Sequence, residues 1–189
     1  GVVVQFVIAV QTNFGLVNFF SYFTNLTNIF ASVVFIIGAV RLARGYKTNN
    51  LDVAIRGASV VYMVFVGIVF NTLLVGADLG DLEPWVNTVH HMLMPIAVIV
   101  DWLVWPPRSR ISLRTALLWM IFPVVYVAYS LIRGAIVGFY AYPFFNPDAN
   151  GGYGGVALYC GAMLVAFVLL ALAVRWLANL RVRADVGRP

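Results

Sequence analysis

The sequence predicts an all-α protein, a polytopic bundle of transmembrane helices that forms one domain over residues 1–189. Hydrophobic residues make up 62% of the chain and charged residues 10%, whereas a soluble domain carries about 25% charge. The apolar residues fall into runs of about 20, the length of a helix that crosses a bilayer. Basic residues lie in short clusters between these runs, so the net charge of +5 indicates membrane orientation, and we expect no nucleic-acid partner.

Six spans are expected, and the first of them is incomplete. Residues 1–11 are apolar, but at about 1.5 Å per residue they are too short to cross about 30 Å of hydrocarbon. Because they lack a basic leading region and a cleavage site, we interpret them as the end of a helix whose start lies outside this chain, and not as a signal peptide. The other spans are expected at residues 16–40, 52–75, 84–105, 112–132 and 155–177.

The residues that flank these spans are typical of membrane surfaces. Arg41 and Arg44 follow the second span, and an acidic stretch over residues 76–83 separates the third from the fourth. Pro84 opens the fourth span, and Trp105 lies at its other end, where an interfacial aromatic belt is expected. Basic residues precede the fifth span and follow the sixth.

The distribution of basic residues predicts the orientation of the bundle. Eleven of the twelve Lys and Arg residues lie in segments 41–56, 106–114 and 175–189, and the twelfth is Arg133. Cytoplasmic loops carry an excess of Lys and Arg, so we expect these three segments and both ends of the chain on the cytoplasmic side.

The segment over residues 134–154 is the longest one expected to lie outside a helix. It combines many aromatic residues with Gly, Pro, Asn and Asp, which favour turns. Two interpretations stay open. The segment either packs back over the outer mouth of the bundle or is a plain interfacial connector with aromatic anchors.

Polar residues in the outer half of the spans are the candidates for a functional site. A polar group held in hydrocarbon costs free energy unless it is paired, so these residues need a structural or chemical reason. Thr24 is expected about 12 Å and His90 about 9 Å below the outer ends of their spans, so both can lie at one level. The candidates are Thr24, Asn25 and Asn28 in the second span, Asn71 in the third, Asn87, His90 and His91 on one stripe of the fourth, and Tyr126, Tyr129 and Arg133 on one stripe of the fifth.

These residue types can supply a nucleophile, a base and an oxyanion-binding set. Threonine alone is a weak nucleophile and needs a base within hydrogen-bond reach, which His90 or His91 can supply. The alternative is structural, because Thr and Asn in membrane helices commonly bond across helices or to the preceding turn. Adjacent histidines point about 100° apart on a helix and have no Cys or close carboxylate at ligand spacing, so we expect no metal ion and no cofactor.

Two charged residues near the span ends have simpler expected roles. Arg133 either extends to the membrane surface from the end of its helix or clamps an anionic lipid group. We expect Asp101, near the cytoplasmic boundary, to pair with a neighbouring Arg rather than to relay protons.

Three short motifs occur in order along the chain: Tyr22-Phe23-Thr24 in the second span, His90 with Pro95 five residues later in the fourth, and Tyr142-Pro143-Phe144 before the sixth. In their order and shared depth they resemble the androgen-induced and androgen-dependent TFPI-regulating protein family and its bacterial relatives. That family comprises multi-span membrane hydrolases of fatty acid esters of hydroxy fatty acids. The similarity spans most of the chain.

The resemblance implies that Thr24 is the nucleophile and His90 the base of a lipid ester hydrolase in a bacterial cell membrane. His91 departs from the family's pattern, so both imidazoles stay candidates for the base. The lipid substrate would enter from the outer leaflet. We hypothesise that Arg133, or Tyr126 and Tyr129, hold the carboxylate or ester oxygen of the substrate. An amide would donate to the oxyanion that forms during the reaction, and the candidates are Asn25, Asn28 and Asn71.

Two alternative functions use the same residues without catalysis. A binder or transporter of a lipid or small amphiphile would occupy the same cavity, although the sequence shows no internal repeat and no continuous charged pathway of the kind transporters use. A structural or signalling membrane protein would have no small ligand and would tolerate alanine at Thr24.

Overall fold

A computed structural model describes residues 1–77 and 83–186, and of residues 183–186 it describes the backbone alone. Within these ranges the chain forms α-helices, two π-helical turns and one short 3₁₀ turn, and it contains no strand. The predicted all-α fold is therefore confirmed. Asp78 and Asp81 of the acidic stretch, and Arg188 of the basic tail, lie outside the described residues.

The helices follow one another along the chain with short connections. The α-helices are α1 Val2–Gln11, α2 Leu16–Phe20, α3 Phe23–Ala43, α4 Asn50–Val69, α5 Pro84–Thr88, α6 Met94–Val104, α7 Leu113–Leu118, α8 Ile121–Val137 and α9 Tyr153–Val186. The π-helical turns are π1 Phe70–Leu74, which continues α4, and π2 Val89–Leu93, which joins α5 to α6. The 3₁₀ turn Pro143–Phe145 lies between α8 and α9.

Five helical stretches in the described residues are long and apolar enough to cross a membrane: Phe23–Ala43, Asn50–Leu74, Pro84–Val104, Leu113–Val137 and Tyr153–Val182. They correspond to the second to sixth predicted spans. The incomplete first span corresponds to the shorter apolar helix α1. The chain is thus a multi-pass membrane protein, and we call the end of the bundle next to the 3₁₀ turn the outer half, after its predicted orientation.

The predicted span over residues 16–40 is not one helix. Helix α2 ends at Phe20, Tyr22 is extended, and α3 begins at Phe23. Polar side chains stabilise the break, because the Ser21 hydroxyl donates to the Val17 carbonyl at 2.7 Å and the Asn25 amide donates to the Phe19 carbonyl at 2.9 Å. The break places a helix N-terminus inside the bundle, close to Thr24.

Helix α4 is the centre of the bundle and packs against α3, α6 and α9. Its inner half belongs to a core in which Val61, Met63 and Trp102 are buried. A second core fills the outer half around Phe23, Tyr126 and other aromatic residues. Because both cores share α4, the two halves of the bundle form one continuous packed unit.

The connector over residues 138–152 packs back onto the outer half of the bundle. Tyr142 is 4% exposed and Phe145 2% exposed, and both belong to the outer core. Gly134 in α8 permits this packing, because a Cβ atom there would clash with the ring of Tyr140. Of the two interpretations of this segment, packing over the outer mouth is confirmed.

Two ion pairs connect helices near their inner ends. Arg56 in α4 donates to the Asp101 carboxylate of α6 at 2.7 Å, which confirms the expected partner of Asp101. At the start of α4, Asn49 and Asp52 form a capping box, in which each side chain accepts from the backbone N–H of the other. Asp52 also forms an ion pair with Arg41 at the end of α3. This ion pair joins the two helices that flank the α3–α4 connection.

Candidate functional site

Thr24 lies in the first turn of α3 and is 6% exposed. Its partner is Tyr142 of the connector, whose hydroxyl lies 3.1 Å from Thr24 Oγ1 and also accepts the Thr24 backbone N–H at 3.1 Å. The Tyr142 oxygen accepts from this N–H, and between the two hydroxyl groups either can be the donor. Burial raises the pKa of Tyr142, so the hydroxyl stays protonated through the physiological pH range.

The start of α3 is capped by side chains from distant parts of the chain. The Tyr126 hydroxyl accepts the Phe23 N–H at 3.3 Å and donates to the Ser21 carbonyl at 2.8 Å. The first N–H groups of a helix have no partner within the helix and carry a partial positive charge. Thr24 therefore sits where negative charge on an oxygen is favoured.

His90 and His91 lie on π2, at 1% and 4% exposure. Pro95 explains this turn, because it has no N–H to donate to the carbonyls of the preceding turn and its ring clashes with them in a regular α-helix. The Asn28 amide of α3 donates to the His90 carbonyl at 3.4 Å. Single π-turns inside α-helices are often found at functional sites.

The two imidazoles have different surroundings. His91 Nδ1 lies 2.6 Å from Asn87 Oδ1 and 3.1 Å from the Asn87 carbonyl. A backbone carbonyl only accepts, so Nδ1 carries the proton and Nε2 carries the lone pair that a base needs. The ring of His91 stacks on Phe70 with centroids 3.8 Å apart. His90 packs against Gly1, and its buried Nε2 has no hydrogen-bond partner among the described residues.

Two cavities meet at Thr24 and Tyr142. The first has a volume of about 40 Å³, and its lining includes Thr24, His90 and His91. Asn25 and residues of α1, α2 and their connection complete its lining. We call it the polar cavity. The nucleophile candidate and both base candidates therefore line the same cavity.

The second cavity, the apolar cavity, has a volume of about 300 Å³ and lies between α4, α8, α9 and the connector. Apart from Thr24, Tyr126, Tyr142 and Cys160, its lining consists of apolar side chains and Gly161. Its volume lies at the lower end of the range of about 300–1,000 Å³ that is usual for ligand pockets. Thr24 and Tyr142 therefore line both the apolar cavity and the polar cavity.

The amide groups expected to donate to an oxyanion are already engaged. Asn25 donates to the Phe19 carbonyl, Asn28 to the Thr24 carbonyl at 2.9 Å, and Asn71 to the Gly67 carbonyl at 2.8 Å. Asn25 lines the polar cavity. Asn71 is exposed and lies outside the lining of both cavities. Asn87 contacts His91 instead.

The candidates on α8 are divided between two locations. Tyr126 lines the apolar cavity, whereas Tyr129 and Arg133 lie outside the lining of both cavities. The Tyr129 hydroxyl lies 2.8 Å from Ser21 Oγ. Arg133 donates to Asn18 Oδ1 at 2.6 Å and covers the ring of Phe139 at 4.7 Å. The structure thus places Thr24, His90 and His91 around one cavity and Arg133 outside both cavities.

The pattern of spans does not predict the hydrogen bonds between Tyr142 and Thr24. Tyr142 lies in a connector and reaches Thr24 from 118 residues away, so no helical spacing relates the two residues. The only signal in the sequence was the Tyr142-Pro143-Phe144 motif. Among the described residues, no group of three or more His, Cys, Asp or Glu side chains could hold a metal ion.

The fold and the site define a multi-pass membrane protein in which a buried polar site adjoins an apolar cavity. Searches with the chain found no matching family model, no matching curated protein and no matching solved structure. A functional conclusion therefore rests on the geometry of this site and on the resemblance of the three motifs.

Proposed function

We propose that the protein is an intramembrane lipid ester hydrolase of a bacterial cell membrane, with Thr24 as its nucleophile and an imidazole of π2 as its base. One observation carries the proposal. Thr24 lines both the apolar cavity and the polar cavity, and His90 and His91 line the second of these. An ester whose acyl chain fills the first cavity presents its carbonyl to Thr24, beside the imidazoles. The resemblance assigns His90 as the base, and the Asn87 contact favours His91.

The reaction proceeds in two steps through an acyl-enzyme. Thr24 Oγ attacks the ester carbonyl carbon, and its proton passes to an imidazole nitrogen. As the bond to the alcohol oxygen breaks, that oxygen takes the proton from the imidazolium. In the second step, water attacks the acyl carbon and the imidazole takes a proton from the water. The bond to Thr24 Oγ then breaks, Thr24 Oγ takes the proton back from the imidazolium, and the free acid departs.

Tyr142 takes the place of the amides as the oxyanion donor. Its hydroxyl lies 3.1 Å from Thr24 Oγ1 and the residue lines both cavities, whereas Asn28 and Asn71 donate to backbone carbonyls and line neither cavity. The N-terminus of α3 adds a partial positive charge at the same position. Donors that are already oriented stabilise the transition state without reorganisation.

The apolar cavity suits one acyl chain, which needs no desolvation when it enters from lipid. The resemblance suggests a fatty acid ester of a hydroxy fatty acid as the substrate. Its free carboxylate would be received at Arg133, which lies seven residues, or about 10 Å, beyond Tyr126 along α8. No cofactor takes part in this scheme.

One observation favours a second candidate, a lipid-binding or lipid-transporting protein without catalysis. The Thr24 hydroxyl is hydrogen-bonded to Tyr142, and an active nucleophile needs contact with a base at some stage of the reaction. In this alternative, the apolar cavity holds a lipid tail and the polar residues only stabilise the bundle.

Hydrolysis of a fatty acid ester of a hydroxy fatty acid by the purified protein in detergent tests the proposal. We expect Thr24→Ala to abolish turnover, and removal of the acting imidazole by His90→Ala or His91→Ala to lower it about 100- to 10,000-fold. Thr72→Ala is the matched control, because the Thr72 hydroxyl is exposed and bonds only within its own helix. Equal turnover by wild type and Thr24→Ala across several lipid esters would refute the hydrolase and leave the lipid binder.

A further inference from the structure

We infer that the polar cavity is the binding site of the hydrolytic water, so that water and acyl chain reach Thr24 from opposite sides. This inference rests on the proposed function and deepens it. The two cavities share Thr24 and Tyr142 and otherwise have different linings. An acyl group on Thr24 Oγ1 would therefore extend its chain into one cavity while the other stays open beside the imidazoles.

The size and lining of the polar cavity suit water. Its volume of about 40 Å³ exceeds the roughly 10–15 Å³ that one water needs, and an ordered water also needs two to four polar partners. Thr24, Asn25, Tyr142 and the two histidines supply them. The apolar cavity offers few such partners along a mostly aliphatic and aromatic lining, and apolar cavities stay dry.

The cavity also lies beside the outer surface of the bundle. Its lining includes Thr12 and Phe14 from the connection between α1 and α2, and Thr12 is exposed. Helix α1 forms another wall through Ile8 and Ala9. Water can thus arrive between α1 and α2 without crossing the acyl chain.

The alcohol oxygen that departs in the first step and the water oxygen that attacks in the second step must occupy the same position. The imidazole that gives a proton to the departing alcohol oxygen later takes a proton from the attacking water. Both oxygens must therefore stand within hydrogen-bond reach of that imidazole and over one face of the planar acyl carbon. The polar cavity then holds the oxygen of the alcohol in the first step and the water in the second.

Ala9 offers a way to change the volume of the cavity from its far wall. This residue lies on α1, is 2% exposed and lines the polar cavity alone. Ala9→Val adds two methyl groups to the lining, and Ala9→Gly removes one. Gly161→Val is the matched control, because Gly161 lines the apolar cavity alone and a Cβ atom there meets no neighbour within 4 Å.

The experiment adds methanol to the hydrolysis reaction and measures the ratio of methyl ester to free acid. Methanol competes with water for the acyl-enzyme and is one methyl group larger, and one methyl group in a tight pocket is worth on the order of tenfold. We expect the ratio to fall about that much in Ala9→Val and to rise in Ala9→Gly. Gly161→Val should leave the ratio at the wild-type value and change only the preferred chain length.

The ratio depends only on how each acyl-enzyme partitions, so a variant that folds in lower yield still gives a valid result. As a second measurement, intact-protein mass should show acyl-Thr24 accumulating in Ala9→Val during turnover. An equal ratio in wild type and both Ala9 variants, or a ratio that changes with Gly161→Val instead, would overturn the inference while the hydrolase stands. Absence of hydrolysis above the Thr24→Ala background in wild type would overturn the hydrolase, and the water site with it.

Discussion

The Tyr142 hydroxyl does two things for Thr24. It accepts a backbone N–H that the helix leaves unpaired, and it contacts the side-chain hydroxyl of the same residue. A buried N–H without a partner costs about 1–3 kcal/mol, so the first contact stabilises the start of α3. The second contact orients the hydroxyl group that the proposed reaction uses.

Replacing Tyr142 with Phe removes one oxygen atom and with it both contacts. Turnover and stability then report on the two contacts separately. We expect Tyr142→Phe to lower turnover on the order of 100-fold, because the oxyanion loses its donor. The free energy of unfolding should fall by about 1–3 kcal/mol, because the Thr24 N–H loses its acceptor. Turnover by the purified variant and its thermal unfolding in detergent measure the two effects.

Tyr129→Phe provides the control for this prediction. The Tyr129 hydroxyl also contacts a residue near the start of α3, Ser21, but Tyr129 lies outside both cavities. This variant should keep its turnover. Equal turnover by Tyr142→Phe and Tyr129→Phe would assign Tyr142 a structural role only.

Single residues also mark the limit of what the sequence predicts. The shared depth of Thr24 and His90 follows from the rise per residue along two helices, and both residues line one cavity as expected. The hydrogen-bond partner of Thr24 does not follow from that geometry, because it comes from a connector whose path depends on tertiary packing. The position of Arg133 outside both cavities depends likewise on how α8 is rotated against its neighbours.

At the scale of elements, π2 determines where the imidazoles point. A π-turn inserts an extra residue and changes the direction of the side chains before it relative to those after it. Neighbouring helices accommodate this turn. The Asn28 amide of α3 donates to the His90 carbonyl, and Gly67 of α4 leaves room for the Pro95 ring, since a Cβ atom at Gly67 would lie 3.3 Å from Pro95 Cβ and Cγ.

Pro95→Ala tests the role of this turn. The variant regains a backbone N–H, which favours a regular α-helix through residues 89–95. Because displacement of a reacting group by about 1 Å can cost on the order of 100-fold, we expect turnover to fall by that amount while thermal stability is kept or increased. Pro84→Ala, at the first position of α5, should change neither quantity, because Pro is tolerated there. Full turnover by Pro95→Ala would show that the π-turn is not needed.

The break between α2 and α3 shows why element boundaries were harder to predict than the elements themselves. Hydropathy runs through residues 16–40 without a charge, a Gly or a Pro near residue 21, so no local signal ends the helix there. The break is stabilised instead by Tyr126 and Tyr142, which accept the two N–H groups released at Phe23 and Thr24. The π-helical turn π2, by contrast, has a signal in the sequence, because Pro95 follows it. A proline alone does not specify whether a helix kinks or forms a π-turn.

At the scale of the whole molecule, the single cysteine of the chain can report on the apolar cavity. Cys160 lines the apolar cavity together with Gly161 and Met163. A fatty acid bound there would cover the thiol group. The cysteine takes no part in the proposed chemistry and serves only as a probe.

We expect a bound fatty acid to slow alkylation of Cys160 by a small maleimide. Since only unoccupied protein reacts, the rate should fall about tenfold at a fatty acid concentration ten times its Kd. Mass spectrometry of the intact protein measures the rate, with Cys160→Ser as the blank and denatured protein as the unprotected control. Equal rates with and without fatty acids of several chain lengths would mean that no acyl chain occupies the cavity.

The composition of the chain predicted the architecture of the whole molecule. The all-α fold follows from the length and spacing of the apolar runs, because a helix satisfies its own backbone groups in lipid. The two cavities could not be predicted in this way. Their shapes depend on side-chain rotation and on the path of the connector, which hydropathy does not specify.

The long separation between Thr24 and Tyr142 has a consequence for biosynthesis. The two residues are 118 positions apart, so at about 5–20 residues per second a ribosome takes roughly 6–24 s to pass from one to the other. For most of that interval the chain contains α3 but neither of the hydroxyls that cap its start, because Tyr126 and Tyr142 are both made later. The N-terminus of α3 is capped only after α8 and the connector have been synthesised. A partly translated chain therefore holds α3 without its capping partners, and the Phe23 and Thr24 N–H groups lack these acceptors until then.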